Sequence, residues 1–291
     1  MRDLPAPDFS LHASLTSGQT FRWRQHEGWW YGFLGRAAVK IRQEGDRLIW
    51  DASDPSVTGE QLRRYFALDL HLPDILSFID VDMQIHRAIV RYRGLRVLRQ
   101  DGWETLASFI CASFNNIKRI EGMVERLCQA YGEPVALNGF RGFSFPTADA
   151  LAAVPERRLR SLGLGYRAPY LRATARLVAD GRLPADQLRS ADYETTKRAL
   201  LGCDGVGDKV ADCVALFGFE KLEAFPVDVW MERVMRYYFR HRKMTRKAVH
   251  DYATQRFGRY AGYAQQYLYH DIRTLRATAP PVTATLSTVG R

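Results

Sequence analysis

GCDGVGDKVADCVALFGFEKLEAFPVD, residues 202–228, places a glycine turn, one lysine and one aspartate in a single short unit. Gly205 and Gly207 flank Val206, a pattern that permits positive φ and leaves no side chain between a ligand and the backbone. From Asp208 onward Val210, Val214 and Phe217 recur at helical spacing, so the N–H groups of Gly207 to Lys209 open a helix, where anions bind. On the other side of the turn YETTKRALL, residues 193–201, reads as a helix of its own. Helix, glycine hairpin and helix together predict a grip on the phosphates of a nucleic-acid backbone through Gly205, Val206 and Gly207, indifferent to base sequence.

Lys209 supplies a step towards chemistry. It lies in the first turn of the second helix, where the positive end of the macrodipole disfavours the charged form, and a neutral amine is a nucleophile. Its neighbour one turn on is Cys213, a small polarizable wall for whatever the amine attacks. Asp228 follows Pro226-Val227 and precedes the helical pattern VWMERVMRYYF, which makes it an N-cap whose carboxylate can also face the lysine. On spacing alone, a phosphate-binding lysine and an ordinary helix cap stand ahead of catalytic roles.

The surroundings fit a polyanion partner. The 291 residues carry 42 basic against 32 acidic side chains, a formal charge of +10, with plain solubility as the bland alternative. Only seven of the basic residues are lysines, so Lys209 stands out from an arginine background. A hydrophobic content of 46% is enough for a full core and one or two domains. Met1 to Leu15 has no apolar signal core, and no apolar run approaches the roughly 20 residues needed to span a bilayer. The expectation is a soluble, intracellular, monomeric protein with no membrane partner, in the cytoplasm or nucleoid of a bacterium or the nucleus of a eukaryote. Cys111, Cys128, Cys203 and Cys213 are widely spaced and read as reduced thiols rather than disulfides or zinc ligands.

In chain order, Thr20 to Ala52 alternates with a period of two between turn signals at Glu27-Gly28, Gly35 and Glu44-Gly45-Asp46, predicting an antiparallel meander. TGEQLRRYFALD then turns helical, and Asp80 to Arg99 reads as a helix followed by an exposed, arginine-rich connector. Trp103 to Ile110 predicts a buried helix, broken by SFNN, residues 113–116, and followed by an apolar stripe through Ile117, Ile120, Val124 and Leu127. Tyr131 to Pro146 reads as irregular, and Thr147 as the cap of another helix. LGLGYRAPY, residues 162–170, repeats the glycine turn entering a helix and puts Tyr166 beside Arg167 at its tip. After Asp228 the helix is expected to reach about Arg240, followed by the basic surface stretch HRKMTRK. Tyr260 to Arg273 forms a last helix with Gln265 and Tyr269 on one face. The fold class is α+β and mostly helical: an antiparallel β-rich N-terminal domain with flanking helices over 1–99, a helical domain over 100–273, and a disordered tail over 274–291.

GVGDKVADC followed by PVDVWM resembles the active-site segment of the 8-oxoguanine DNA glycosylase/lyases, within the helix-hairpin-helix DNA glycosylase superfamily. SGQTFRW, LRQDGWETLASFICASFNNIKRI, GMVERLCQAYG, LGLGYRAPY and YAGYAQQYLY extend the resemblance in the family's order from about Ser17 to Arg273. The resemblance implies base-excision repair of double-stranded DNA containing 8-oxoguanine, preferably opposite cytosine. Lys209 would be the nucleophile of glycosylase and lyase steps, with Asp228 stabilising positive charge on the sugar. It further implies that the Gly18 carbonyl reads the N7 proton, that Gln265 reads the Watson–Crick edge, and that Cys213 and the Tyr269 ring sandwich the base, with Pro226 and Phe217 completing the pocket. Tyr269 departs from the family's usual phenylalanine. Arg119 and Arg167 match arginines that read the orphan cytosine, Tyr166 matches the wedge, Asn115 lies against the DNA backbone, and Phe114 stands where the family has an asparagine. No cofactor is required and no iron–sulfur cluster is expected, but a structural cation could sit on the carbonyls of Leu201, Cys203 and Val206. The rival readings are a superfamily glycosylase for alkylated or mismatched bases, and a protein that binds the DNA backbone without cutting.

Overall fold

The computed structural model describes residues 1–238 and 244–278. The chain begins with β1 (Arg2–Pro5) and α1 (Leu11–Thr16), then runs through β2 (Arg24–His26), β3 (Trp29–Leu34), β4 (Ala37–Glu44) and β5 (Arg47–Ala52). The last four strands form the expected meander, with reversals at Glu27-Gly28, Gly35 and Gly45, all at positive φ. The sheet is antiparallel in the order β1-β5-β4-β3-β2. The extra strand β1 pairs Leu4 with Leu48. Its four residues are too few to show alternation, and its partner lies over forty residues downstream in sequence, so only tertiary pairing reveals it.

After the sheet come α2 (Gly59–Tyr65), α3 (Leu72–Ile79) and α4 (Met83–Arg91). Thr58 and Gln61 start α2 with reciprocal side-chain to backbone bonds. The segment after α4 is not the exposed connector expected: Leu95, Arg96, Val97 and Leu98 are buried. Arg96 is accommodated because its Nη1 donates to the carbonyls of Ala67 and Leu70, at 2.5 and 2.9 Å. Leu72, Ile75, Ile85, Ala88, Leu95 and Val97 share one core with the helices that follow, while Leu98 belongs with the sheet's core around Trp50 and Ile41. Packing therefore groups α3 and α4 with the helical layer.

That layer comprises α5 (Gly102–Ala112), α6 (Ile117–Tyr131), the hairpin β6 (Pro134–Leu137) and β7 (Phe140–Phe143), α7 (Ala148–Ala153), α8 (Glu156–Leu159), α9 (Arg167–Ala179), α10 (Ala185–Ser190), α11 (Tyr193–Leu201), α12 (Asp208–Phe219), α13 (Val229–Tyr238), α14 (Arg246–Phe257) and α15 (Ala261–Thr278). The break at SFNN and the cap at Thr147 appear as expected, and Asn116 at the end of the break caps α6. Tyr131 to Pro146 is not irregular: Asn138-Gly139, both at positive φ, closes a two-residue hairpin pairing Leu137 with Phe140. Of the basic surface stretch HRKMTRK, residues 244–247 are exposed as expected, with Thr245 capping α14 and Arg246 and Lys247 in its first turn, while residues 241–243 fall outside the described residues. The expected end of the preceding helix near Arg240 also falls there. Thr274 to Thr278, expected in a disordered tail, are instead helical: α15 continues to Thr278, with Thr274 Oγ1 donating to the His270 carbonyl at 2.9 Å, and residues 279–291 lie outside the described residues. Among the described residues no helix is long and apolar enough to cross a membrane.

Two features fix α12, the element that carries Lys209. Phe217 stacks on Phe109 of α5, centroids 5.7 Å apart and planes 19° from parallel. At the far end Glu220 adopts a left-handed φ of 62° and gathers Arg64, Arg99 and Arg189, one arginine each from α2, the linker and α10.

Candidate active site

The hairpin between α11 and α12 is built as the sequence predicts. Gly205 has φ +77°, and a Cβ there would stand 2.5 Å from the Tyr170 ring, so both conformation and packing exclude a side chain. Gly207 caps α12 without a side chain, and the space where its Cβ would point is open. Val206 is buried and anchors the turn, its N–H donating to the Cys203 carbonyl at 3.1 Å. The backbone at the helix start is thereby presented to solvent, as a phosphate contact requires.

Behind the hairpin lies a polar brace that the sequence reading missed. Asp212 is buried, accepts from Tyr193 Oη at 2.6 Å and pairs with Lys197 at 2.9 Å, and His250 Nε2 lies 3.0 Å from the same tyrosine oxygen. Burial pushes the Asp212 carboxyl upward against the pull of Lys197. The brace joins α11, α12 and α14. Its one sequence signal is an acid among apolar residues of α12, directly before Cys213.

Lys209, half-buried on the first turn of α12, has its Nζ 5.1 Å from the centroid of the Phe109 ring. Electrostatically it is grouped with Cys213, Asp228 and Tyr269. Burial works against its ammonium, but these neighbours outweigh burial and hold the amine above its ordinary range. In the free protein this runs against the expectation of an amine neutralised by the helix dipole, because Cys213 and then the Asp228 carboxylate favour the ammonium. Burial lifts the Cys213 thiol to about 11, leaving it neutral at physiological pH. Asp228 is the N-cap of α13: its Oδ1 accepts the N–H groups of Trp230 and Met231, each at 2.9 Å. Cap and charge partner are therefore one residue.

The opposite wall is made by the turn after α1 and by α15. Gly18 has φ +84°, and a Cβ there would come within 3.3 Å of the Tyr269 ring, 3.2 Å of Ile117 and 2.4 Å of Arg273 Nη1. The turn is fixed from three sides. Arg273 Nη2 donates to the Thr16 carbonyl at 2.7 Å, Gln266 Nε2 to that of Ser17 at 3.0 Å, and Gln100 Nε2 to that of Gln19 at 2.7 Å. Among the described residues the Gly18 carbonyl itself accepts from none. Gln265, one turn before Tyr269, is buried with its Oε1 also unpaired among the described residues. Tyr269 is half-buried, and burial followed by the Asp228 charge raises its hydroxyl pKa. Pro226 is buried nearby in sequence to Asp228, whereas Phe217 lies in the packing layer with Phe109, behind Lys209 rather than facing open space.

The loop between α5 and α6 has another character. Phe114 is 99% exposed and sits at φ +49°, a left-handed conformation that a bulky side chain adopts only at a cost. Tyr166, half-exposed at 46%, donates its hydroxyl to the Ser113 carbonyl at 3.1 Å, and Arg167 Nε donates to the same oxygen at 3.0 Å. Arg167 is buried, stacked at 4.4 Å on the Tyr166 ring, and its Nη2 also reaches Ser113. The free guanidinium fork expected at Arg167 is therefore a loop clamp here, because the Ser113 carbonyl at the end of α5 needs a donor. Asn115 is likewise engaged, donating to the Cys111 carbonyl at 3.3 Å and accepting from Asn116 N–H at 3.1 Å. Arg119 remains exposed on the first turn of α6. Ile117, between them, touches the Gly18 turn and so joins this loop to the pocket.

Residues 3–106 match the family model of the 8-oxoguanine DNA glycosylase N-terminal domain, and residues 107–258 that of the HhH-GPD superfamily base excision DNA repair protein. The chain is 31% identical to a probable N-glycosylase/DNA lyase of Methanothermobacter thermautotrophicus over 93% of its own length and 95% of that protein. It is 34% identical to the N-glycosylase/DNA lyase of Saccharomyces cerevisiae over 76% of its length and 65% of the yeast chain. Its structure is similar to that of Clostridium acetobutylicum 8-oxoguanine glycosylase/lyase in complex with double-stranded DNA containing cytosine opposite 8-oxoG, with a TM-score of 0.87 and 27% identity over 95% of this chain and 99% of that one.

Proposed function

Because the chain belongs to the 8-oxoguanine DNA glycosylase/lyase family of the helix-hairpin-helix base-excision repair superfamily, we propose that it excises 8-oxoguanine from duplex DNA, preferentially opposite cytosine, and then cleaves the strand through Lys209. A lesion base inside a duplex is out of reach, so the nucleotide is extruded at a cost of a few kcal/mol that the pocket must recover. The Gly18 carbonyl accepts the N7 proton, which guanine lacks, and Gln265 Oε1 accepts from the Watson–Crick edge. Cys213 and the Tyr269 ring take the two faces of the base. The hairpin at Gly205, Val206 and Gly207 holds phosphate. A hard cation on the carbonyls of Leu201, Cys203 and Val206 is compatible with the turn, although the Cys203 oxygen already accepts one hydrogen bond.

In the reaction Nζ of Lys209 bonds to C1′ as the bond from C1′ to N9 breaks, and the departing base takes up a proton. The Asp228 carboxylate faces the positive charge that develops on the sugar. The C1′–O4′ bond of the resulting aminal then breaks, O4′ taking up a proton from Nζ as the sugar ring opens to an imine; the imine acidifies C2′, loss of that proton expels the 3′ phosphate, and water releases the lysine. Attack needs the neutral amine, so the proton that Asp228 and Cys213 favour in the free protein must leave first.

The observation that carries this reading is the convergence of Lys209, Cys213, Asp228 and Tyr269 beside two unpaired acceptors, the Gly18 carbonyl and Gln265 Oε1. Borohydride reduction of the protein on 8-oxoguanine duplex tests it. A covalent complex on the lesion duplex and none on undamaged duplex is expected. Base release without trapping would favour a monofunctional glycosylase for other bases, and binding without base release a purely backbone-binding role.

A further inference from the structure

Arg273 lies one turn beyond Tyr269 on α15, with its guanidinium carbon 5.8 Å from the centre of that ring. One arm is engaged, since Nη2 holds the Thr16 carbonyl at 2.7 Å. The other makes no well-formed hydrogen bond among the described residues, Nη1 being shielded from solvent, although the guanidinium also interacts with the Tyr269 hydroxyl. Nη1 rests 2.4 Å from where a Cβ on residue 18 would stand, directly against the one residue of the turn whose carbonyl is also unpaired. An acceptor and a donor, both without a partner among the described residues, thus belong to two residues packed directly against each other. Unpaired buried polar groups are costly, and a pair of them at one place points to a ligand that satisfies both.

The ligand edge that complements an adjacent acceptor and donor carries a donor beside an acceptor. An oxidised purine has this edge, N7–H next to the C8 oxygen. Guanine has an acceptor at N7 and a C–H at C8, so it meets the Gly18 carbonyl with like polarity and offers Arg273 nothing at C8. We infer that Arg273 is a specificity-determining residue whose Nη1 donates to the C8 oxygen of the extruded base while the Gly18 carbonyl accepts from N7–H. The inference rests on the proposed reading of the pocket and adds to it a positive contact to the atom that defines the lesion. It also gives Gly18 a second requirement, because any side chain there would displace the guanidinium.

The test separates reading from packing. Arg273→Met keeps the length of the side chain and removes its donors; Arg273→Lys keeps a donor. Single-turnover excision of 8-oxoguanine is compared with strand cleavage at a preformed abasic site, which has no base to read. Arg273→Met is expected to lower the ratio of the two rates about tenfold, with partial recovery in Arg273→Lys. In a Lys209→Gln background, which binds without turnover, the same change should lower the affinity preference for 8-oxoguanine over guanine duplex by a similar factor. Guanine shares the C6 oxygen and lacks the C8 oxygen, so the loss can be assigned. If Arg273→Met slows both reactions equally and leaves the binding preference intact, Arg273 is only a brace for the turn and the inference is overturned. If the unaltered protein neither excises 8-oxoguanine nor prefers it in binding, the proposed function fails instead.

Discussion

The base pocket and the loop at Phe114 are neighbours, joined through Ile117 and the Gly18 turn, yet they treat their polar groups in opposite ways. At the proposed pocket the backbone is fixed by Gln266, Gln100 and Arg273, while the Gly18 carbonyl and Gln265 Oε1 have no hydrogen-bond partner among the described residues. In the loop the arrangement is reversed: Arg167, Tyr166 and Asn115 bond to the loop's own backbone, and what projects outward is the phenyl ring of Phe114. A site with unpaired groups on a rigid frame discriminates by hydrogen bonding, because the wrong ligand leaves those groups unsatisfied. A site whose polar groups are already paired contributes shape and stacking, and can read polarity only by giving up bonds it has. On the proposed function, the difference teaches that the pocket would recognise the lesion strictly and the loop the opposite base more loosely.

The largest effect that could break this picture is at the nucleophile. Lys209→Gln should abolish borohydride trapping and lower strand cleavage by on the order of a thousandfold or more, while binding to lesion duplex persists. Trapping that survives at the wild-type level would move the chemistry to another amine and dissolve the pocket as described. Next comes Asp228→Asn. Asparagine caps helices about as well as aspartate, so the bonds to Trp230 and Met231 can be kept while the charge is lost. Base release should slow on the order of a hundredfold with thermal stability nearly unchanged; the opposite result, lower melting temperature and normal turnover, would make Asp228 a cap and no more.

A smaller effect sharpens the account of Lys209. Its amine is held above its ordinary range, so at neutral pH the nucleophilic form is scarce and its fraction grows tenfold with each unit of rising pH. Single-turnover excision should therefore climb from about pH 6 to about pH 8, by up to tenfold per unit where amine deprotonation alone limits the rate. A flat profile over that range would mean that DNA binding neutralises the amine before chemistry. The sequence could not have given this. The hairpin, the caps at Thr147 and Asp228, and the meander were legible because each rests on residues close in sequence. The sign of the Lys209 shift rests first on Cys213, one turn along the same helix, and then on Asp228 and Tyr269, which only the fold brings near it. Arg273 escaped notice for the same reason, since one more arginine on a basic chain carries no mark until Gly18 is seen against it. The Asn138-Gly139 hairpin, by contrast, had its signal in the sequence and was obscured by the glycines around it.

The smallest expected effect concerns the loop, and it tests the other half of the comparison. Phe114 is almost wholly exposed at φ +49°, where asparagine is far better tolerated than phenylalanine, so Phe114→Asn should stabilise the free protein, by roughly 0.5–1 kcal/mol. A ring kept outward in a conformation it disfavours is suited to filling the gap an extruded nucleotide leaves, by stacking that every base accepts. Discrimination for cytosine then falls to exposed Arg119, and to Arg167 only if DNA draws it away from Ser113. Asparagine at 114 would add one hydrogen-bonding group, worth about 1 kcal/mol, and should sharpen the preference for cytosine over adenine opposite 8-oxoguanine about fivefold. Arg167→Ala should lower it, and should also destabilise the loop because the Ser113 carbonyl keeps only the Tyr166 hydroxyl of its three side-chain bonds. Arg119→Ala should lower the preference without that loss of stability. Single-turnover excision from duplexes with each of the four opposite bases, paired with thermal unfolding, resolves these. Equal rates on all four in the unaltered protein would remove the preference itself. A profile unchanged in Phe114→Asn would show that the loop is not where the orphan base is read.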